Sequence, residues 1–223
     1  MIVAVIPAKD LPDAKMRLSP LLAPSDRRSL FCAMLEDVLT AVCTTSSIAR
    51  VLVVTREPDL MRLARRFDAE VCREPTNRGH TQAVQFAIEE LRARSPDAVL
   101  TIPGDVPLVT KEEIEAIVAA SPRAPSVVLV PSRNGQGTNG VLLRPPDAMR
   151  LRFGEPSFVE HVQSAERHGL AKRVLDLPGL ALDIDTSADL AKLRTQQGGA
   201  STRRLLDALA ERGVFEKVSH HAN

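Results

Sequence analysis

Short apolar runs rich in β-branched residues alternate with amphipathic helical stretches through the first half of this chain. That alternation narrows the fold more than any other feature. Ile2–Ile6, Arg50–Val54, Glu70–Cys72 and Val99–Ile102 read as strands, the first ended by Pro7 and the last by Pro103-Gly104. Helical spacing of Leu30, Met34, Leu35, Val38, Leu39 and Val42 predicts a helix from Ser25, read as its N-cap, to about Thr44. A second helix starts near Pro58 and runs to Phe67, and a third follows Asn77-Arg-Gly-His-Thr81 to about Arg94. Strand–helix–strand units close through right-handed crossovers, so the expected fold is α/β with a mainly parallel central sheet flanked by helices.

The second half has shorter strand pieces. A helix over Lys111–Ala120 leads to strands at Val127–Val130 and Val141–Leu143, separated by a loop, Ser132–Gly140, that reads as irregular. An antiparallel strand fits here. A helix follows Phe153-Gly-Glu-Pro-Ser157 to about Arg167, then a strand at Arg173–Leu177 and a helix from Ala188 to about Thr195. Gln196-Gln-Gly-Gly-Ala200 breaks the pattern before a last helix, Ser201–Arg212. The expectation is one domain over residues 1–197 with a helical extension, 198–223, that is either solvated or a contact in a homodimer.

Composition excludes several classes of function. Lys plus Arg total 29 against 28 Asp plus Glu, so no global field draws in nucleic acid or an anionic membrane. Trp and Tyr are absent, which removes stacking platforms for single strands. Cys32, Cys43 and Cys72 form no CxxC pair and have no His at ligand spacing, as expected of reduced core thiols in a cytoplasmic protein. Nothing approaches the roughly 20 apolar residues of a membrane span.

Three features point to phosphates and a divalent cation. Lys9, Lys15 and Arg17 follow the first strand, and loops after such strands sit at the ligand edge of an α/β sheet. Asp105 follows the strand at Val99 directly, and Asp183 and Asp185 lie two apart, so in extended chain their side chains share a side. Such carboxylates repel unless a cation sits between them, and Mg²⁺ takes oxygen ligands of this kind. The plainer alternatives are that Asp105 caps a turn and that Asp185 caps the next helix. The third feature is the helix start at Phe153-Gly-Glu-Pro-Ser157, with Pro156 in the first turn, where backbone N–H groups form an anion site. Ser157 adds a hydroxyl, and Thr138 adds another from a loop whose neighbouring glycines permit close backbone approach. The five histidines, His161 among them, are scattered, and no Ser or Cys sits in a nucleophile elbow. A phosphate monoester, ionised above ~6, can attack without a general base.

In combination, Pro7-Ala-Lys, Lys15-Met-Arg-Leu-Ser-Pro20, Pro103-Gly-Asp-Val-Pro-Leu108, Gly137-Thr-Asn, Phe153-Gly-Glu-Pro-Ser-Phe158 and Leu182-Asp-Ile-Asp-Thr186 resemble the CofC/FbiD family, in order from residue 2 to about 195. These are guanylyltransferases of deazaflavin coenzyme F-420 biosynthesis. The resemblance implies a single-domain nucleotidyltransferase fold of the GT-A, Rossmann-like type. It also implies transfer of GMP from GTP to a phosphorylated three-carbon acid with release of pyrophosphate. It implies Mg²⁺ on Asp105, Asp183 and Asp185, and the phospho-acid on Thr138, Gly154 and Ser157. Lys15 and Arg17 would be the catalytic cations against the GTP phosphates, and Pro7, Lys9, Lys15, Gly79 and Gly104 would contact the nucleotide.

The acceptor is expected among 2-phospho-L-lactate, phosphoenolpyruvate and 3-phospho-D-glycerate, with a slight preference for the last two as common metabolites. The product is expected to pass to the downstream deazaflavin transferase. One departure is Gly79-His80-Thr81, where relatives commonly show Gly-Leu-Asn in a segment near the nucleotide. The alternatives are a nucleotidyltransferase acting on a molybdopterin or a sugar phosphate, and a non-catalytic nucleotide-binding regulatory domain. The first loop lacks the glycines that the molybdopterin or sugar-phosphate reading wants, and the presence of all three carboxylates argues against the regulatory one.

Overall fold

The computed structural model describes residues 1–8, 15–76 and 78–215. Lys9 and Asn77 lie outside the described residues. Seven strands, β1 (Ile2–Pro7), β2 (Arg50–Val54), β3 (Glu70–Cys72), β4 (Ala98–Thr101), β5 (Ser126–Pro131), β6 (Thr138–Arg144) and β7 (Ala171–Val174), form one sheet in the order β3-β2-β1-β4-β6-β5-β7. Pairs β3–β2, β2–β1, β1–β4 and β5–β7 are parallel, and β6 runs against both its neighbours, β4 and β5.

Eight helices surround the sheet among the described residues: α1 (Pro24–Cys43), α2 (Pro58–Arg66), α3 (His80–Leu91), α4 (Lys111–Ala120), α5 (Ser157–Arg167), the short α6 (Pro178–Ala181), α7 (Ser187–Thr195) and α8 (Ala200–Glu211). The alternation of side chains along β1 shows why both faces are covered. Ile2, Ala4 and Ile6 join Met34 and Leu35 of α1 in the largest core, whereas Val3 and Val5 point the other way, to Ala83 and Ala87 of α3. A third cluster packs Val127, Leu129, Val141 and Leu143 on Ala165 of α5.

Several local expectations change. Helix α1 starts one residue early, with Ala23 at the N-cap and Pro24 next, so Ser25 lies inside the first turn and caps nothing. The loop expected to run to Gly140 ends at Gly137, because Thr138 and Gly140 already pair with β5, with Asn139 at a bulge between them. Hydrogen bonds between Ser132 N–H and Gly137 O (2.9 Å) and between Gly137 N–H and Ser132 Oγ (2.8 Å) close the loop into a compact turn. The glycines here serve packing: an added Cβ would meet Ser132 Oγ at 2.9 Å from Gly137, or Leu180 Cδ2 at 2.8 Å from Gly140.

Residues 200–211 form α8, which is packed rather than solvated: Leu206 and Leu209 are buried in the same core as α1. Its N-terminal donors are met from a distance. The buried Asp37 carboxylate of α1 accepts from Ser201 N–H (2.8 Å), Thr202 N–H (2.9 Å) and Thr202 Oγ1–H (2.6 Å). A negative charge also suits the positive end of the helix. Asp37→Ala is expected to cost roughly 3 kcal/mol, since it strands buried donors that now bond a charged acceptor. A thermal melt should show Tm lower by about 6–12 °C for a chain of this size. An unchanged Tm would mean that water caps α8 as well as Asp37 does.

Candidate functional site

Reversal of β6 decides where the site lies. β1, β4 and β5 end at one edge of the sheet, and β6, running the other way, begins there. Thr138, its first residue, therefore stands at the same edge as the chain leaving β4 at Asp105. A cavity of about 620 Å³ opens at this edge. Asp105, Asp183 and Asp185 line it together with Thr138, Gly154 and Ser157, and with Arg17 and Gly79.

The carboxylate set is built by one backbone bond. Ile184 N–H donates to Asp105 O (3.1 Å), which pins the Asp183–Asp185 segment beside the end of β4. Ile184 is fully buried in the core, so its two neighbours face the cavity, as the alternation of an extended chain requires. Asn139 Nδ2 donates to Asp183 Oδ1 (3.1 Å) and to the carbonyls of Leu180 and Ala181 (3.1 Å each). Burial pushes the Asp183 carboxyl above its ordinary value, and the nearby charges of Asp105 and Asp185 add to the rise against the Asn139 bond.

Asp185 does not cap α7. Thr186 is the N-cap, in a reciprocal pair with Asp189, whose carboxylate Arg133 also holds at 2.9 Å. That leaves the Asp185 side chain available to the cavity.

Lys15, expected beside a polyphosphate, ion-pairs with two of the carboxylates. Its Nζ donates to Asp105 Oδ2 (2.5 Å) and Asp185 Oδ1 (2.6 Å), with the side chain only 4% exposed. Burial works against its charge, but the two carboxylates outweigh it and hold the pKa above the ordinary lysine value. Arg17, by contrast, is exposed on the cavity wall. Pro7 and Gly104 do not line the cavity. A Cβ on Gly104 would point back at Leu35 and Phe31, each at 3.3 Å, so this glycine lets α1 close on the turn after β4.

The opposite wall carries the hydroxyls. Ser157 Oγ donates to Thr138 Oγ1 at 3.2 Å, and both residues are buried. The start of α5 is narrower as an anion site than its sequence suggests. Pro156 is the N-cap, and Phe158 N–H already donates to Gln136 O (3.1 Å). Gly154 has φ +117°, a conformation that side chains rarely adopt, and a Cβ there would meet nothing within 4 Å. Backbone conformation, not close approach, calls for glycine at this position.

The Gly79-His80-Thr81 departure sits against this wall. His80 stacks on Phe153 with centroids 4.3 Å apart, and Phe153 N–H donates to Thr81 Oγ1 (2.9 Å).

Sequence reasoning passed over three contributors. Asn139 stood in a segment read as loop, Arg78 belongs to no motif but lines the cavity beside Gly79, and His161 was one of five scattered histidines. His161 lies four residues after Ser157 on α5, so the helical repeat places both on one face.

The donor set fits a hard cation in its chemistry: three carboxylates, oxygen donors only, near enough that the charges of Asp105 and Asp185 add to the burial that raises Asp183. Among the described residues no three such side chains already converge as a closed ligand cage, and Lys15 bridges two of the three.

The phosphoenolpyruvate guanylyltransferase of Conexibacter woesei is 39% identical over 212 residues, which span 92% of this chain and 95% of the relative. The 2-phospho-L-lactate guanylyltransferase of Methanothermobacter thermautotrophicus is 37% identical over 206 residues, covering 92% of this chain and 90% of the relative. The fold is shared with a nucleotidyl transferase from Methanothermobacter thermautotrophicus (TM-score 0.63, 17% identity, 87% and 96% of the two chains). It is also shared with a 4-diphosphocytidyl-2C-methyl-D-erythritol synthase (TM-score 0.60, 13% identity, 87% and 97%). Residues 2–222, tail included, match the family described as guanylyl transferase CofC like, and the chain belongs to that family of nucleotidyltransferases.

Proposed function

We propose that this enzyme transfers GMP from GTP to the phosphate of a three-carbon phospho-acid with release of pyrophosphate, as a step in coenzyme F-420 biosynthesis. The observation that carries the reading is one cavity with three carboxylates on one side and the Thr138–Ser157 hydroxyl pair on the other. Relatives named for phosphoenolpyruvate and 2-phospho-L-lactate support the acceptor class, to which 3-phospho-D-glycerate also belongs. In this reading Asp105, Asp183 and Asp185 hold Mg²⁺. When bound, the ion neutralises charge on the triphosphate and on the departing pyrophosphate. Arg17 and Lys15 supply further positive charge beside the phosphates. Thr138, Gly154 and Ser157 hold the phospho-acid so that one phosphate oxygen faces the α-phosphate of GTP. The attacking oxygen is already ionised, so positioning and neutralisation do the work that a general base does elsewhere.

The test is a panel of four nucleoside triphosphates against the three phospho-acids, read by pyrophosphate release with and without EDTA. Turnover confined to GTP, dependent on a phospho-acid and abolished by EDTA is expected. Equal use of all four triphosphates would remove the guanylyl assignment, and turnover that survives EDTA would remove the metal. Because the chain has no Trp or Tyr, binding is better followed by calorimetry than by intrinsic fluorescence.

Thr138→Val keeps volume and β-propensity and removes the hydroxyl. It is expected to weaken use of the phospho-acid by about 10- to 150-fold, one hydrogen bond to a charged oxygen at roughly 1.5–3 kcal/mol. GTP binding should stay near wild type. Equal losses on both substrates would place Thr138 in the nucleotide half of the cavity.

A further inference from the structure

We infer that His161 is a positioning residue that fixes Thr138 as an outward hydrogen-bond donor to the acceptor substrate, by locking its own ring in the Nδ1–H tautomer. The inference rests on the acceptor reading of Thr138 given above.

Its basis is an accounting of protons. Arg152 N–H, a backbone amide that can only donate, lies 3.0 Å from His161 Nε2. That nitrogen must therefore be an acceptor and carry no proton. The one proton of the neutral ring is then on Nδ1, which lies 3.0 Å from Thr138 Oγ1 and donates to it. Ser157 Oγ–H donates to the same oxygen at 3.2 Å. A hydroxyl oxygen has two acceptor sites, and both are now taken. The Thr138 proton has no place on its own wall and is directed to the cavity that Thr138 lines. A threonine left to itself could rotate and present a lone pair instead, which repels phosphate or carboxylate oxygen. His161 removes that option before the substrate arrives.

The surroundings keep the ring neutral and still. His161 is 1% exposed, and burial pushes its pKa down to about 4. Phe153 packs edge-on against it with centroids 5.4 Å apart. Placement of Ser157 and His161 one helical turn apart on α5 brings both donors to Thr138 from one face. The third atom pair, Nε2 with Arg152 N–H, fastens the segment that leads into Gly154, so one imidazole orders both sides of the acceptor wall.

Two substitutions separate the roles of the ring nitrogens. Asn reproduces the position of Nδ1 and can still donate to Thr138, and Gln reproduces that of Nε2 and can meet only the Arg152 amide. His161→Gln is expected to raise the KM for the phospho-acid roughly tenfold, the value of one directed bond to a charged group, with the KM for GTP and the Tm near wild type. His161→Asn should keep the phospho-acid KM within about threefold. In a Thr138→Val background His161→Gln should add nothing, because the two act through one hydroxyl. Equal effects of Asn and Gln, or full additivity with Thr138→Val, would overturn the inference and leave the acceptor reading standing. A silent Thr138→Val would overturn the acceptor reading itself, and this inference with it. The wild-type protein gives a measurement that needs no variant to fold: ¹⁵N correlation spectra of the His161 ring at neutral pH. A protonated Nδ1 and bare Nε2 are expected, the reverse of the tautomer favoured in water. A protonated Nε2 would overturn the assignment of His161 as the donor to Thr138.

Discussion

Asp105→Asn and Asp183→Asn, made separately, are expected to leave folded proteins with turnover lower by about 10³-fold or more. This is the order expected when several kcal/mol of charge neutralisation is lost from a phosphoryl transfer. Each swap preserves volume and removes one negative charge from the set at the end of β4. The two should differ in stability. Asp183 has its pKa raised by burial and by its carboxylate neighbours, so its ionised form is already disfavoured in the folded protein. At neutral pH a folded pKa above the unfolded one means that ionisation costs stability, and a neutral amide relieves that cost. The Asn139 bond survives because an amide oxygen also accepts. Asp183→Asn should therefore melt at or above the wild-type temperature. Asp105→Asn loses half of the Lys15 bridge and should melt at or below it. Pyrophosphate release and thermal melts on the same preparations check both statements. Near wild-type turnover of Asp105→Asn at saturating Mg²⁺ would remove the metal role.

Lys15→Met is expected to give the second large effect, a loss of turnover of about 10²-fold, the order seen when one pre-placed charge partner is removed from a developing anion. Methionine retains a long apolar stem in a position that is almost wholly buried. What disappears is the ammonium that bridges Asp105 and Asp185. Without it Asp105 and Asp185 lose their bridge, so the Tm should fall. If Mg²⁺ is held by these carboxylates as proposed, added Mg²⁺ should raise the Tm of the variant more than that of the wild type, because lysine and the cation would then compete for the same oxygens. An equal Mg²⁺ shift in both proteins would separate Lys15 from the cation site. A change confined to phospho-acid dependence would place the loop on the wrong side of the cavity.

Much of this arrangement can be read in the sequence because it is local. β1 and β4 are apolar runs closed by Pro7 and by Pro103-Gly104, and Asp-Ile-Asp needs only the two-residue repeat of extended chain to put both carboxylates on one side. What could not be read depends on partners distant in the chain. Gly137-Thr-Asn-Gly140 has loop composition, yet Thr138–Gly140 are strand because β5 is waiting to pair with them. The cap of α8 comes from Asp37, more than 160 positions earlier, and no local motif encodes it. Lys15 is drawn onto Asp105 and Asp185 by charge across the sheet edge, where spacing alone pointed it toward solvent and substrate. His161 carries no signature, since its meaning lies in which atoms donate to it.

The reversed strand has a consequence for how such an enzyme can diversify. Strands β5, β6 and β7 and helix α5 occupy one continuous stretch, residues 126–174, and join the rest of the sheet along the β4–β6 pairing. Thr138, Gly154, Ser157 and His161 all fall inside that stretch, whereas the three carboxylates fall outside it. The hydroxyl wall and the carboxylate wall therefore come from separate stretches of chain, and the Asn139–Asp183 hydrogen bond ties the one to the other. If the proposed roles hold, substitutions within 126–174 that spare Asn139 should change which acid is used more than how the triphosphate is handled.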